Sequence, residues 1–198
     1  MTAIPMFPLG SVLFPFTPLP LRVFEPRYLT MVGRLLDEDD PEFGVVLIER
    51  GHEVGGGDRR TSIGTMARLV SVSAGAEVLT AVAVGTDRFT VEQWLDDDPY
   101  PRADVTPLPR LEWDDALTPL EKEAEAIVRR TLARAPETRW DADTELADEP
   151  LAAAWQLAAI APLGEYDRYT LLQSTTAGAL LRQIIDLTLE AELLWSAE

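Results

Sequence analysis

The residue types that most often perform catalysis are scarce in this chain of 198 residues. It has no cysteine, one histidine (His52) and one lysine (Lys122), so thiolate nucleophiles and multi-histidine metal sites are excluded. No G-x-x-x-x-G-K motif precedes Lys122, and the acidic neighbours Glu121 and Glu123 keep its amine charged and a poor base. His52 lies beside a run of glycines, which is typical of a solvated loop. These patterns predict a protein that is not an enzyme.

Carboxylates are the remaining candidates for chemistry. Acidic runs occur at 37–40 and 96–98, where oxygen ligands are close together in sequence. Neither run has the spacing or the central glycine of a calcium-binding loop, so both are interpreted as solvated turns. The sequence therefore predicts no metal and no cofactor.

The charge of the chain limits its partners. Thirty-four Asp and Glu residues against 17 Lys and Arg give a formal net charge of −17, with basic pairs only at Arg59-Arg60 and Arg129-Arg130. Nucleic-acid affinity depends on basic side chains that neutralise phosphates, so no nucleic-acid partner is predicted. No apolar run reaches the length of a membrane helix, and repeated prolines interrupt the apolar N-terminus. We expect a cytoplasmic protein without a membrane partner.

The first 110 residues have the pattern of short strands around one helix. Strand-like runs bounded by Gly, Pro or Asp occur at Ile4–Leu9, Leu19–Phe24, Phe43–Ile48, Met66–Val72, Val78–Val84, Arg88–Trp94 and Arg102–Leu108. A helix after Pro26 is indicated by apolar residues at helical spacing, Tyr28, Met31, Val32, Leu35 and Leu36. Strands of this number and length favour a small barrel or a curled sheet.

Residues 111–198 have a helical pattern. Thr118 followed by Pro119 predicts a helix start, with Thr118 as the cap and a buried face of Leu120, Ala124, Ile127 and Thr131. Two further helices are indicated around Trp155 and over Tyr166–Leu172. The last helix has a seam with alternating spacings of four and three, Leu180, Ile184, Leu187, Ala191 and Leu194. The predicted class is α+β, with a strand-rich lobe at 1–110 and a helical lobe at 111–198.

Several motifs occur in an order that is specific to one family. The chain opens with Phe7-Pro8-Leu9-Gly10-Ser11-Val12-Leu13-Phe14-Pro15 and then Leu19-Pro20-Leu21-Arg22-Val23-Phe24-Glu25-Pro26-Arg27-Tyr28. Later blocks are Phe43-Gly44-Val45-Val46, Glu53-Val54-Gly55, Ile63-Gly64-Thr65-Met66-Ala67, Gly85-Thr86-Asp87-Arg88-Phe89 and Leu171-Leu172-Gln173 followed by Ala179-Leu180-Leu181. Together they resemble the N-terminal substrate-binding domain of Lon-type ATP-dependent proteases.

That resemblance implies both a fold and a function. The family fold is a β-barrel of the pseudouridine-synthase-and-archaeosine-transglycosylase (PUA) type, with about six strands and one helix, followed by a helical bundle. In Lon proteases this region recognises unfolded or tagged polypeptide, and the ATPase and peptidase parts follow it. Because the chain ends at Glu198, a stand-alone, non-catalytic module is expected, with unfolded polypeptide, a protease or a chaperone as partner. The oligomeric state is left open.

Two other functions remain as alternatives. The barrel type also occurs in RNA-modifying enzymes, so an RNA-binding protein is one alternative, although the acidic charge argues against it. A regulatory domain that binds a small molecule is the other, and it requires a closed polar pocket.

The candidate peptide-binding residues lie in and after the Pro-aromatic loop. Phe14, Pro15, Phe16 and Pro18 place two aromatic rings among prolines, which are hard to bury completely in a turn. Phe14 follows an apolar run, so we expect it to be the more buried ring and Phe16 the more exposed one. The site is completed by Glu25, Arg27 and Tyr28, where Glu25 and Arg27 are expected mainly to pair or to cap the following helix.

Overall fold

The computed structural model describes residues 2–50, 59–75, 78–135 and 139–195, which group into two compact units, Met1–Arg110 and Leu111–Glu198. The fold is mixed α+β, with a six-strand sheet and five helices in the described part. The first unit contains β1 (Thr2–Leu9), β2 (Pro18–Val23), α1 (Pro26–Leu35), β3 (Glu42–Arg50), β4 (Arg59–Ala74), β5 (Leu79–Leu95) and β6 (Arg102–Pro107). The second contains a 3-10 turn (Asp115–Leu117), α2 (Thr118–Leu132), α3 (Pro150–Ile160), α4 (Glu165–Leu172) and α5 (Ala177–Trp195). His52 and the motif Glu53-Val54-Gly55 lie outside the described residues.

The strands pair in the order β2-β5-β4-β3-β1-β6, and β6 also pairs with β5. Strands β5, β4, β3, β1 and β6 are therefore linked in a ring of pairings, in which only β1 and β3 run parallel. Among the described strands, β2 pairs with β5 alone, so it is an edge strand. Proline lacks an N–H donor and is tolerated at an edge, which explains how Pro18 and Pro20 fit in β2.

Strand β5 corrects one prediction from the sequence. The runs Val78–Val84 and Arg88–Trp94 are parts of one strand of 17 residues, and Gly85 lies inside it instead of in a turn. The first part of β5 pairs with β2, and the second part, from Phe89 onwards, pairs with β6. A Cβ on Gly85 would overlap the carbonyl oxygen of Phe14, so glycine is required where β5 passes the loop before β2.

Helix α1 packs against the strands and forms part of the hydrophobic core of the first unit. Tyr28, Met31, Val32 and Leu35 are buried, as their spacing predicts, whereas Leu36 caps the helix and is exposed. The ring of Tyr28 stacks on Phe7 of β1, with the centroids 4.1 Å apart. Burial of each such side chain contributes about 1.5–3 kcal/mol, so this helix is firmly anchored to the strands.

Helix α2 of the second unit differs from the prediction in two ways, in its N-cap and in its buried face. Thr118 is the first residue of α2 and not its cap, which is Leu117, while Asp114 caps the preceding 3-10 turn by accepting from the amide of Ala116. The buried residues of α2 are Ala124, Val128, Thr131 and Leu132, so the half-buried Ile127 and Leu120 lie beside the core face.

In α5 the predicted seam holds at its beginning and fails towards its end. Leu180 and Ile184 are fully buried, Leu187 is half-buried and Leu194 is 71% exposed. A seam repeating every seven residues drifts by about 20° per heptad around a straight α-helix, whose period is 3.6 residues. The buried face follows that period instead and includes Leu181 and Thr188.

Candidate functional site

The loop before β2 is held by hydrogen bonds to neighbouring strands. The amide of Phe16 donates to the carbonyl of Gly85 at 2.8 Å, and the amide of Gly85 donates to the carbonyl of Thr17 at 3.0 Å. The hydroxyl of Thr17 donates to the carbonyl of Phe14 at 2.7 Å, and that of Thr65 donates to the carbonyl of Leu13 at 2.6 Å. These four bonds, three of them to β4 or β5 and one inside the loop, fix the direction of the side chains that the loop carries.

The two rings of the loop differ in burial as predicted. Phe14 is 1% exposed and Phe16 is 43% exposed, which confirms the expected difference. Pro15 is buried beside Phe14, and Pro18 is exposed at the start of β2. Phe14, Pro15 and Tyr28 are therefore buried, which leaves little of their side chains for direct contact with a peptide. Phe16 and Pro18 are the loop members of the predicted site that reach the surface.

The backbone of Phe16 is unusual. Its φ angle is 60°, the left-handed region that costs an L-residue roughly 1–2 kcal/mol because Cβ approaches the following carbonyl. The hydrogen bond from its amide and the one from Gly85 to Thr17 hold this conformation. Strained residues of this kind are concentrated at functional sites. At Phe16 this backbone conformation occurs together with an aromatic ring that is partly in solvent.

Glu25 and Arg27 form a local pair. Arg27 Nε lies 3.1 Å from Glu25 Oε2, and its guanidinium also lies over the ring of Tyr28, 4.6 Å from the centroid. Both side chains are mostly buried, and Glu25 makes no side-chain capping bond to α1. The expectation that they pair or cap the helix is met by the pair, and Glu25 stands at the N-cap position of α1 without a side-chain hydrogen bond.

A trough that the sequence did not predict lies on the outer face of the sheet, over β2, β5 and β4. Its volume is about 440 Å³, and most of its lining is apolar. Arg22, Thr80 and Ser73 line one part of it, and Pro20 and Val82 line another. No sequence motif marks the trough, because its side chains come from three strands and meet only through the strand register.

The shifted ionisable groups of the first unit are structural. Burial lowers the pKa of Arg88, whose guanidinium donates to the carbonyl of Pro109 at 3.3 Å. A hydrogen bond from Arg110 lowers the pKa of the Asp87 carboxyl, with a smaller opposing effect from burial. These contacts tie the end of the first unit to β5 and form no acid–base pair suited to proton transfer.

Several acidic side chains of the described residues form ion pairs. Among the residues that the structure describes, no cluster of three or more His, Cys, Asp or Glu side chains is arranged to hold a metal ion. Asp40 of the first acidic run lies 3.8 Å from Arg68, which also pairs with Glu42 at 3.0 Å.

Within the described part of the chain, every helix is too short or too polar to cross a lipid bilayer.

Fold and site together define a class: a mixed α+β domain whose distinctive surface features are an exposed aromatic loop and an apolar trough. Residues 3–190 match the family described as the ATP-dependent protease La (LON) substrate-binding domain, and the chain belongs to that family. The resemblance seen in the ordered motifs is thereby confirmed.

Solved structures and one curated relative agree with this assignment. A Lon N-terminal domain protein from Xanthomonas campestris is 30% identical, with a TM-score of 0.69 over 94% of this chain and 98% of that one. The N-terminal domain of Mycobacterium avium complex Lon protease has a TM-score of 0.68 over 96% of this chain and 99% of its own, and at 18% identity it supports the fold alone. Lon protease 2 of Sorangium cellulosum (strain So ce56) is 34% identical over 114 residues, which are 54% of this chain and 14% of that protein.

Proposed function

We propose that this chain is a non-catalytic recognition module that binds apolar segments of unfolded polypeptide. The observation that carries the proposal is Phe16, an aromatic ring held partly exposed by a strained and hydrogen-bonded backbone. Membership of a substrate-binding domain family supports it, because the substrate of a protease is polypeptide. Binding by the loop needs no cofactor.

The geometry of the loop suits this role for a physical reason. A ring that is already ordered loses little conformational entropy when a partner covers it, so more of the burial energy appears as affinity. The exposed Pro18 adds a second rigid apolar surface two residues away. Aromatic side chains are also the residues that most often dominate binding energies at interfaces.

Several finer features belong to the same proposal. We interpret the ring of strand pairings as the PUA-type barrel of the family and the helices after Leu111 as its helical bundle. A protease or a chaperone is the proposed macromolecular partner, and the proposed location is cytoplasmic. No nucleic-acid or membrane partner is proposed, since the formal charge of −17 repels phosphate-rich surfaces.

The experiment is a Phe16→Ala variant measured for both peptide capture and stability. Binding of an unfolded, aromatic-rich model peptide should weaken about tenfold, or about 1.4 kcal/mol, while the free energy of unfolding changes by less than about 1 kcal/mol. Tyr166→Ala is the matched control, because this ring is 79% exposed but lies in the second unit. Unchanged stability with unchanged binding would show that the loop has no role in recognition, and a large loss of stability would make Phe16 a core residue.

RNA binding is the alternative function that a direct measurement can test. A generic RNA hairpin should bind at physiological salt no more tightly than on the order of 10⁻⁴ M, the range of weak non-specific binding. A sub-micromolar complex in a filter-binding assay would place RNA ahead of polypeptide as the ligand.

A further inference from the structure

The trough on the outer face of β2, β5 and β4 has a polar end and an apolar end. The strand register aligns Arg22 with Thr80 and Thr80 with Ser73, which forms one row across the three strands. Two residues along, Pro20 aligns with Val82, and Val82 with Ser71. The two rows lie about 7 Å apart, since a strand rises about 3.3 Å per residue.

The polar row offers donors to an anion. Arg22 is exposed, and among the described residues its guanidinium makes no ion pair or hydrogen bond. Ser73 places a hydroxyl group in the same row, while the hydroxyl of Thr80 donates to the carbonyl of Ser73 at 3.4 Å. A guanidinium with free donors beside an apolar surface is suited to a carboxylate, which it can bind through two parallel hydrogen bonds.

The short distance between the two rows favours the α-carboxylate of a polypeptide C-terminus over the side-chain carboxylate of an Asp or Glu. At the C-terminus of a polypeptide, the charged group and the last side chain belong to one residue. An α-carboxylate at Arg22 therefore places its own side chain near Pro20 and Val82, within the roughly 7 Å between rows. An internal Asp or Glu would put its charge at the tip of a side chain and leave the apolar row to a different residue.

We propose that this trough binds the free C-terminal residue of a polypeptide, with the α-carboxylate on Arg22 and an apolar last side chain against Pro20 and Val82. This inference rests on the proposed function and names the feature of the substrate that the module recognises. Phe16 precedes Arg22 by six residues, a distance of at most about 20 Å along an extended chain. A bound tail of about six residues or more can therefore contact both the trough and the exposed ring.

The test compares one unstructured peptide of ten residues in two forms, with a free C-terminal carboxylate and with a C-terminal amide. Its last three residues are apolar, and binding is followed by the fluorescence anisotropy of an N-terminal label. The free acid should bind about three- to tenfold more tightly than the amide, the range expected for one exposed charge-assisted contact. Raising the salt concentration should reduce this preference, because the site is open to solvent.

Substitutions separate this inference from the proposed function. Arg22→Gln should abolish the preference for the free acid while leaving the affinity for the amide unchanged, whereas Phe16→Ala should weaken both forms equally. Arg59→Gln is the matched control, because Arg59 carries the same charge in the same unit, 75% exposed and paired with Glu49, and it should keep the preference.

Each remaining outcome counts against the C-terminal site alone or against both the site and the proposed function. Equal binding of acid and amide by the unmodified protein, or a preference that survives Arg22→Gln, refutes the C-terminal site but not the polypeptide-binding function. An amidated peptide with one internal Asp that binds as tightly as the free acid, in an Arg22-dependent manner, also refutes selection of the chain end. If neither form binds, both the site and the proposed function are wrong.

Discussion

The amide of Phe16 donates a hydrogen bond of 2.8 Å to the carbonyl of Gly85, which lies 69 residues further along the chain. This bond joins the loop before β2 to the middle of β5, at the point where β5 changes partner from β2 to β6. It connects the strained backbone of the proposed recognition residue to the longest strand of the sheet. The loop and the strand should therefore respond together to changes at either residue.

Gly85→Ala should destabilise the protein by about 2–3 kcal/mol, because the new Cβ would overlap the backbone carbonyl of Phe14. Gly33→Ala is the control, since Gly33 lies in α1 and a methyl group there would meet no atom within 4 Å. Replacing an exposed helical glycine in this way should stabilise by about 0.5–1 kcal/mol. Chemical denaturation measures both changes, and a neutral Gly85→Ala would contradict the close approach of β5 to the loop.

Phe16→Gly should be more stable than Phe16→Ala by about 0.5–1 kcal/mol. Both variants lose the ring, but only glycine adopts a φ of 60° without a Cβ penalty, and this gain exceeds its greater entropy loss on folding. The same pair of substitutions at the exposed Phe24, whose φ is negative, should give the opposite order. Thermal unfolding of the four variants decides the point, and a less stable glycine variant at Phe16 would exclude the left-handed conformation.

Ile184→Ala should cost about 2–5 kcal/mol, because this side chain is fully buried in the second unit and its removal leaves a cavity. Leu194→Ala on the same helix should change the free energy of unfolding by less than about 0.5 kcal/mol, since Leu194 is 71% exposed. Urea titrations of the two variants measure the difference. Similar effects at both positions would mean that α5 buries a different face from the one described.

Glu192→Gln should lower stability at neutral pH but not in acid. Hydrogen bonds from Arg130 at 2.7 Å and Arg134 at 2.8 Å hold the pKa of Glu192 below its ordinary value of 4.5. Because the folded pKa lies below the unfolded one, the stabilisation is complete above about pH 4.5 and disappears as the pH falls through the lower folded value. Unfolding curves should show a smaller difference in stability between the unmodified protein and Glu192→Gln well below pH 4.5 than at pH 7. Glu190→Gln, an exposed change on the same helix, is the control and should change the stability little at either pH.

The order of elements and most of the core of the first unit were predictable because their signals are local. Short extended runs punctuated by proline indicated β1 and β2, and helical spacing placed Tyr28, Met31 and Leu35 on one buried face. The burial of Phe14 and the exposure of Phe16 followed from the apolar run before them. Such patterns show which face of a single helix or strand is buried, and the residues that define this face are close together in sequence.

The second unit shows where local patterns stop being sufficient. Ile127 and Val128 of α2 are adjacent and both apolar, so sequence spacing could not decide which one is buried. The structure buries Val128, because the neighbouring helices α3 and α5 determine which side of α2 is covered. The end of α5 differs for the same reason, since a repeat in the sequence carries no information about where a packing partner ends.

The sequence by itself determined the α+β class, the membership of the family and the scarcity of catalytic residue types, because composition, ordered motifs and local periodicity carry these. Only the tertiary structure decided that Gly85 lies inside a strand and that Arg22, Thr80 and Ser73 share one row. The physical reason is that strand register depends on hydrogen bonds between segments about 60 residues apart, such as β2 and β5, and no local pattern encodes that alignment.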